Sequence, residues 1–316
     1  MSAQADVTVI IPTLRRPDSL ERAMRSVLAQ VGVVDRLREI IVVDNDPEAS
    51  SRELTTRLAA EASLPVVWRH APRPGVATAR NEGLAATTAP LIAFLDDDEA
   101  ASTGWLAALL SAQEATGADA VFGPIRGRVP DETGWTTPYL ERFFGREGPP
   151  DSRLIDIPYG CGNSLLVRAT ALPGAAPFNL AADQSGGEDD ALFAALAGRG
   201  GRFGWAADAW VDEFAPPHRA TLRYALTRAF AYGQGPSQTA AAARDWPRVA
   251  RWMVIGAAQA GVWLFAAAGL TLIASPRRAD MLDRSARGLG KLFWMKGFEP
   301  HFYGARELDR LNRQPA

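Results

Sequence analysis

The sequence predicts an α/β protein with a mostly parallel sheet flanked by helices, followed by a helical extension. Three observations carry this. Short β-branched runs alternate with amphipathic helical stretches through the first half. Acidic or polar residues stand repeatedly where those runs end. From about residue 216 the strand signals give way to helical ones, and one long stretch, 252–274, contains no formal charge.

Residues 7–11 form a continuous β-branched run, the mark of a strand buried on both faces. After a turn over 12–17, Asp18 with Glu21 reads as a capping box. Leu20, Met24, Val27 and Leu28 then share one helical face that stops near Gly32. Residues 40–43 make a second strand ending in Asp44, and Leu54 and Leu58 mark the next helix. A short strand at 66–68, a helix at 75–86, a strand at 91–95, a helix from Trp105 to about Leu110 and a strand at 120–122 follow. Residues 123–157 are rich in Gly, Pro and aromatics and read as loops covering a site. Strands at 164–167, 203–205 and 210–211 and a helix behind Gly186 and Gly187 complete the alternation, and from Arg219 to Leu311 the chain reads as helical. This gives a first domain over 1–215, with halves at about 1–123 and 124–215, and a helical extension over 216–316.

With 316 residues and a net charge of −2, the whole chain offers no electrostatic reason to bind nucleic acid. Its single cysteine, Cys161, cannot form an internal disulfide. No basic stretch precedes an apolar run in residues 1–6, so no secretory signal is expected there. Residues 252–274 are long enough to cross a bilayer, but they are rich in Ala and Gly. Arg248 and Arg251 precede them and Arg277 and Arg278 follow, so a single crossing would place one basic pair on the wrong side. An interfacial or re-entrant helix is therefore expected, against the alternative of a buried core helix.

The sharpest chemical signal is Asp96-Asp97-Asp98, directly after the strand at 91–95. Adjacent carboxylates repel by about 1 kcal/mol at ~4 Å in water and by several times that when partly buried. The neighbouring sequence has no Lys or Arg to offset this, whereas a divalent cation would, and Mg²⁺ or Mn²⁺ prefers carboxylate and phosphate oxygen. Alternate residues of an extended segment face one way, which pairs Asp96 with Asp98. A solvated acidic turn is the plainer alternative.

Phe94-Leu95-Asp96-Asp97-Asp98-Glu99, followed by Gly104-Trp105-Leu106, resembles the DxD region of family-2 glycosyltransferases with the GT-A fold. Val9-Ile10-Ile11-Pro12-Thr13, Ile41-Val42-Val43-Asp44-Asn45 and Gly186-Gly187-Glu188-Asp189-Asp190 resemble three further segments of that family in the same order. The resemblance covers about residues 6–215. It implies a Rossmann-like GT-A domain and transfer of a sugar from a nucleotide-diphosphate donor, with inversion. It assigns Pro12, Thr13 and Asp44 to the donor nucleotide, Asp98 to a Mg²⁺ or Mn²⁺ ion, and Asp96 to the metal or the ribose. Asp97 is left between two registers and grouped with the donor side. Asp189 matches the family's catalytic base, with Glu188 beside it.

Other assignments stay open at this point. Arg80 meets a phosphate, orients an aspartate or is a surface helix arginine. Asn163 binds an acceptor sugar or makes a turn. Trp135, with Tyr139, Phe143 and Phe144, forms an acceptor wall or packs a core. Arg126, Arg128, Arg142, Arg146 and Arg153 meet a lipid-linked diphosphate or are solvated. Many relatives carry a metal-binding histidine where this chain has Val211-Asp212-Glu213, which leaves Glu213, His218 or neither to complete the metal shell. The implied setting is the cytoplasmic face of a cell membrane, with a saccharide or lipid-linked acceptor.

A dinucleotide-dependent oxidoreductase would need glycines after the first strand, where Pro12-Thr13-Leu14-Arg15-Arg16 stand instead. A nucleotidyltransferase would need a Gly-rich, basic first loop. The alternative from another class is a catalytically silent nucleotide-sugar-binding or scaffold protein of a glycan-assembly complex.

Overall fold

The structure is a computed structural model and describes residues 6–33, 35–183 and 186–300. The described residues divide into two compact units, one of residues 6–126 and 146–214, the other of 127–145 and 215–300.

The first unit follows the predicted alternation: β1 (Val7–Thr13), α1 (Pro17–Leu28), β2 (Leu37–Asp44), α2 (Arg52–Glu61), β3 (Val66–His70), α3 (Val76–Ala85), β4 (Leu91–Phe94), β5 (Glu99–Ala101), α4 (Trp105–Thr116) and β6 (Ala120–Phe122). β7 (Ile125–Arg128) runs up to and past the unit boundary, and α5 (Thr137–Phe144) belongs to the second unit. The first unit resumes with β8 (Arg153–Ile155), β9 (Ser164–Val167), α6 (Arg168–Ala171), α7 (Glu188–Gly198), β10 (Phe203–Trp205) and β11 (Val211–Phe214).

Eight strands form one sheet in the order β3-β2-β1-β4-β9-β6-β10-β8. β3, β2, β1 and β4 are mutually parallel, as are β6 and β10, while β9 runs antiparallel between β4 and β6. Period-2 geometry explains why the strands are apolar throughout. Val7, Val9 and Ile11 enter one core with Leu20, Met24 and Val27 of α1 and Leu106 and Leu109 of α4. Ile10 enters the other with Ala77 and Leu84 of α3 and Leu192 and Phe193 of α7.

The expected capping box does not form. Pro17 opens α1, Asp18 lies inside its first turn, and no side chain caps the helix. Glu21 instead pairs with Arg25 and Arg57. Pro at the first helical position needs no capped N–H, which removes the reason for the box.

The stretch 127–145, expected inside the first domain, groups with the C-terminal helices. Its reason is packing: Tyr139 and Leu140 of α5 are buried with Ala225 and Ala279. The second unit is built on α8 (Leu222–Ala242), α9 (Trp246–Leu272) and α10 (Arg278–Leu292). Thr221 caps α8 and Asp245 caps α9 through backbone N–H groups of Tyr224 and Arg248. α10 lies close against α9 because glycines meet there: a Cβ on Gly256 would stand 2.6 Å from the Gly288 carbonyl oxygen. Ser285 Oγ donates to the Ala260 carbonyl at 3.0 Å. The helical reading of 301–311 lies outside the described residues.

In α3, a Cβ on Gly83 would lie 2.6 Å from Ile10 Cγ2. Gly83→Val should therefore overpack the contact of α3 with β1 and cost about 1–3 kcal/mol. A lowered urea midpoint checks this, and an unchanged one would show that α3 can slide away from the sheet.

Candidate active site

The chain runs from β1 outward through β2 to β3, then returns to β4 on the opposite side of β1. A parallel sheet opens a crevice at such a reversal, beyond the C-terminal ends of its strands. Thr13 ends β1 there, and Asp96-Asp97-Asp98 leave β4 there.

Asp97 turns inward. It is buried and accepts hydrogen bonds from Thr13 Oγ1 at 2.8 Å and Arg16 Nη1 at 3.1 Å. The same Nη1 reaches Asp98 Oδ2 at 2.8 Å. Asp96 meets Arg80 Nη2 at 3.2 Å. The repulsion within the triple-Asp run is thus offset by two arginines from remote parts of the chain, which the local sequence could not show. Neither Arg16 nor its role was singled out by the sequence reading.

Arg80 is the centre of the site. It projects from α3, almost wholly buried, with one Nη on Asp96 and the other on Glu188 at the start of α7. The triple-Asp run and the Gly-Gly-Glu-Asp element, 92 residues apart at Asp96 and Glu188, therefore share one guanidinium. Burial pushes the Glu188 carboxyl above its ordinary range, with Arg80 pulling against it. Asp96 is raised in the same way, first by burial, with Arg80 opposing and Asp98 adding to the rise.

Asp189 follows Glu188. Its Oδ2 accepts the Cys161 N–H at 3.1 Å and its Oδ1 accepts the Asp190 N–H at 2.9 Å. Two glycines let the 160–163 loop come this close. A Cβ on Gly162 would stand 2.5 Å from Asp96 Oδ2, and one on Gly160 3.2 Å from Asp189 Oδ2. Gly186 and Gly187 both adopt left-handed conformations, with φ of 77° and 85°, where the chain turns into α7.

The loop itself is held by Arg146. Its Nε donates to the Gly123 carbonyl at 2.9 Å, Nη1 to Gly160 at 3.0 Å, and Nη2 to Gly162 at 2.8 Å and Asn163 at 3.0 Å. The expectation that Arg146 is solvated or meets a lipid diphosphate is corrected: its guanidinium is committed to backbone carbonyls. Burial lowers its pKa, against the pull of Glu99 and Glu213.

Glu213 stands directly opposite Glu99 in the antiparallel pair of β11 and β5. Burial raises both carboxyls well above the ordinary range; Asp98, Glu99 and Asp96 push Glu213 further. These are oxygen donors only, the set that suits a hard divalent cation. Among the described residues, no three His, Cys, Asp or Glu side chains stand close enough to hold a metal ion as they are.

Several predicted residues are placed elsewhere. Asp44 is wholly buried: Oδ1 accepts the Asp46 N–H at 3.0 Å, and Oδ2 accepts from the Ser51 N–H and hydroxyl at 2.8 and 2.7 Å. Direct contact with a base or ribose is thereby corrected to pinning of the loop after β2. Asn163 is also wholly buried. Its Oδ1 accepts from Trp105 Nε1 at 2.7 Å, and its Nδ2 donates to the Pro124 and Ala209 carbonyls. With φ of 51° it makes the turn, and it is closed to an acceptor sugar. Pro12 lies half-buried opposite Val43 at the sheet end. Trp135 belongs to the second unit, where the Arg278 guanidinium stacks 3.8 Å from its ring. Tyr139, Phe143 and Phe144 pack that unit's core rather than a sugar. His218 also lies in the second unit, in the turn before α8.

Residues 8–173 match the family described as Glycosyl transferase family 2. The succinoglycan biosynthesis protein ExoM of Rhizobium meliloti (strain 1021) is 34% identical over 311 residues, 96% of this chain and 97% of that protein. The chain belongs to glycosyl transferase family 2. It is a glycosyltransferase, which sets aside the silent scaffold alternative. The pre-mycofactocin glycosyltransferase of Mycobacterium tuberculosis (strain ATCC 25618 / H37Rv) is 38% identical over 105 residues, 33% of this chain and 20% of that one. Among solved structures, GalNAc-T7 with UDP, GalNAc and Mn²⁺ superposes with a TM-score of 0.55 at 17% identity, covering 75% of this glycosyltransferase and 51% of that chain. Residues 1–349 of S. aureus TarS in complex with UDP give a TM-score of 0.50 at 14% identity, covering 71% and 65%. At such identities these likenesses show the GT-A fold.

Replacing Arg80 by Met leaves the buried Glu188 carboxylate without its cation, and should cost about 3 kcal/mol at neutral pH. The sign of the pH dependence follows: Glu188 is held above its unfolded pKa, so the variant should regain stability as the pH falls and this carboxyl takes up a proton. Urea unfolding at neutral and mildly acidic pH checks both. Equal losses at the two values would show that charge burial is not the cause.

Proposed function

We propose that this glycosyltransferase moves a sugar from a nucleotide-diphosphate donor to a hydroxyl of a saccharide or lipid-linked saccharide, with inversion at the anomeric carbon, in the assembly of a cell-surface glycan. The observation that carries the reading is the Arg80 bridge between Asp96 and Glu188. It holds the acidic end of β4, suited to a charged donor, against the start of α7, where Asp189 stands next to Glu188. The names of the relatives agree: ExoM is described as a succinoglycan biosynthesis protein, and TarS and GalNAc-T7 are described in complexes with UDP.

In this reading Pro12 and Thr13 border the donor nucleotide, and Asp97, tied to Thr13 and Arg16, fixes the geometry of the run. Asp98 and Asp96 would hold Mg²⁺ or Mn²⁺. When bound, the cation would supply positive charge against the negative charge that grows on the departing diphosphate. Asp189 acts as the base. Its two N–H donors, from Cys161 and Asp190, orient the carboxylate, which removes the proton of the acceptor hydroxyl as that oxygen attacks the anomeric carbon. The nucleotide diphosphate leaves from the opposite side. Glu188, paired with Arg80, positions Asp189.

The long apolar helix α9 supports contact with a membrane, which in this reading is met at its cytoplasmic face. Only 17% of its most apolar 18-residue window is buried. Phe265 and Leu272 are 84% and 89% exposed.

Asp189→Asn should abolish transfer while nucleotide binding stays nearly intact, as followed by product formation and by titration calorimetry with a nucleoside diphosphate. A strong loss of nucleotide affinity would count against its role as base. Asp98→Ala should remove the dependence of nucleotide binding on added Mn²⁺; persistence of that dependence would move the cation to other ligands.

A further inference from the structure

The two parts of the sequence differ sharply in charge. Residues 215–300 contain twelve Lys or Arg against four Asp or Glu, a net charge of +8, while the chain as a whole carries −2. The remainder of the chain is therefore at −10, and the near-neutral total conceals a basic helical segment.

That segment also carries the exposed apolar surface. α9 buries Val249, Gly256, Ala260 and Ala267, a stripe along one side. Gly256 and Ala260 meet α10 on this side, through Gly288 and Ser285. Val254, Phe265 and Leu272, spaced by 11 and 7 residues, fall on the opposite side and are 70%, 84% and 89% exposed. An open cleft of about 660 Å³ between α8, α9 and α10 extends this surface; Leu226, Phe230, Leu264 and Leu289 line it, with Arg223 among the lining residues. Exposed cations bracket α9: Arg244, Arg248 and Arg251 at its start, and Arg277 just beyond its end.

We propose that α8, α9 and α10 form a docking surface for an anionic bilayer, in which the apolar side of α9 enters the acyl region and the flanking arginines pair with acidic headgroups. This rests on the membrane reading above and adds the lipid class. Charge complementarity selects the occupant. Nucleic acid would match the cations but would leave Phe265 and Leu272 in water. A second copy of the same surface would bring +8 against +8. A bilayer with anionic headgroups satisfies both features at once. With arginines at both ends, α9 lying in the interface plane lets each group reach phosphates of one leaflet. About 27 residues at ~1.5 Å each give α9 a length of ~40 Å for this contact.

The test is co-sedimentation of the full chain with phosphatidylcholine vesicles and with vesicles of phosphatidylcholine mixed with phosphatidylglycerol. Binding to the mixed vesicles should be stronger by at least ~10-fold and should fall as NaCl is added. The double variant Arg248→Gln, Arg251→Gln should lose about fivefold for each cation on mixed vesicles and little on neutral ones. Phe265→Ser should weaken binding to both. All three side chains are exposed, so circular dichroism should report unchanged folding. Equal binding to neutral and mixed vesicles, or an arginine variant that binds mixed vesicles as well as the parent, overturns the anionic preference and leaves the membrane reading standing. A chain that stays in the supernatant with both vesicle types, or that self-associates instead, overturns both.

Discussion

The site depends on one buried cation. Arg80 stands on α3 with almost no exposure, and a guanidinium cannot shed its charge to relieve that. It must be matched, and Asp96 and Glu188 match it from the end of β4 and the start of α7. Removing either carboxylate would strand a charge in a poorly solvated place, which is far costlier than forming the pair is beneficial. The interaction is thus better understood as a constraint on geometry than as a source of stability. It fixes where the chain must pass after residue 95 and before residue 189, and Asp98 and Asp189 follow as neighbours of fixed groups.

The sheet makes this convergence possible. Reversal of strand order at β1 and β4 opens a crevice at their C-terminal ends, and the antiparallel β9 brings the 160–163 loop to the same edge. Arg146 then ties that loop by four carbonyl contacts, so that the Cys161 N–H reaches Asp189. A side chain at 162 would overlap Asp96 Oδ2, and one at 160 would crowd Asp189 Oδ2. Carboxylates, guanidinium groups and backbone amides of the first unit interlock in this way.

The helical segment answers a different requirement. Its glycines let α10 approach α8 and α9 closely, which leaves the other side of α9 apolar and uncovered. Uncovered apolar area of this kind marks an interaction surface. The separation of an acidic sequence for the transfer chemistry from a basic one for the surface is what gives the near-zero net charge of the whole chain its misleading neutrality.

Much of this was legible in the sequence. Continuous β-branched or apolar runs at 7–11, 40–43 and 91–95 foretold buried parallel strands, because a strand covered on both faces has no polar side. The acidic residues at the strand ends pointed to the C-terminal edge of the sheet as the place of the candidate site. The order of four motifs foretold the family, which the match over residues 8–173 bears out. What the sequence could not supply was pairing over long separations. The family resemblance made Asp44 a ligand contact, and Asn163 stood between an acceptor contact and a turn, yet each has its polar atoms taken by backbone groups or buried side chains. Arg16 carried no signal of its own and Arg146 stood between a lipid-linked diphosphate and solvent, yet one neutralises the aspartate run and the other shapes the loop. Residue types, periodicity and motif order are properties of the chain and survive in the string of letters. Which carboxylate meets which arginine depends on how strands are ordered in space, and only the folded sheet decides that.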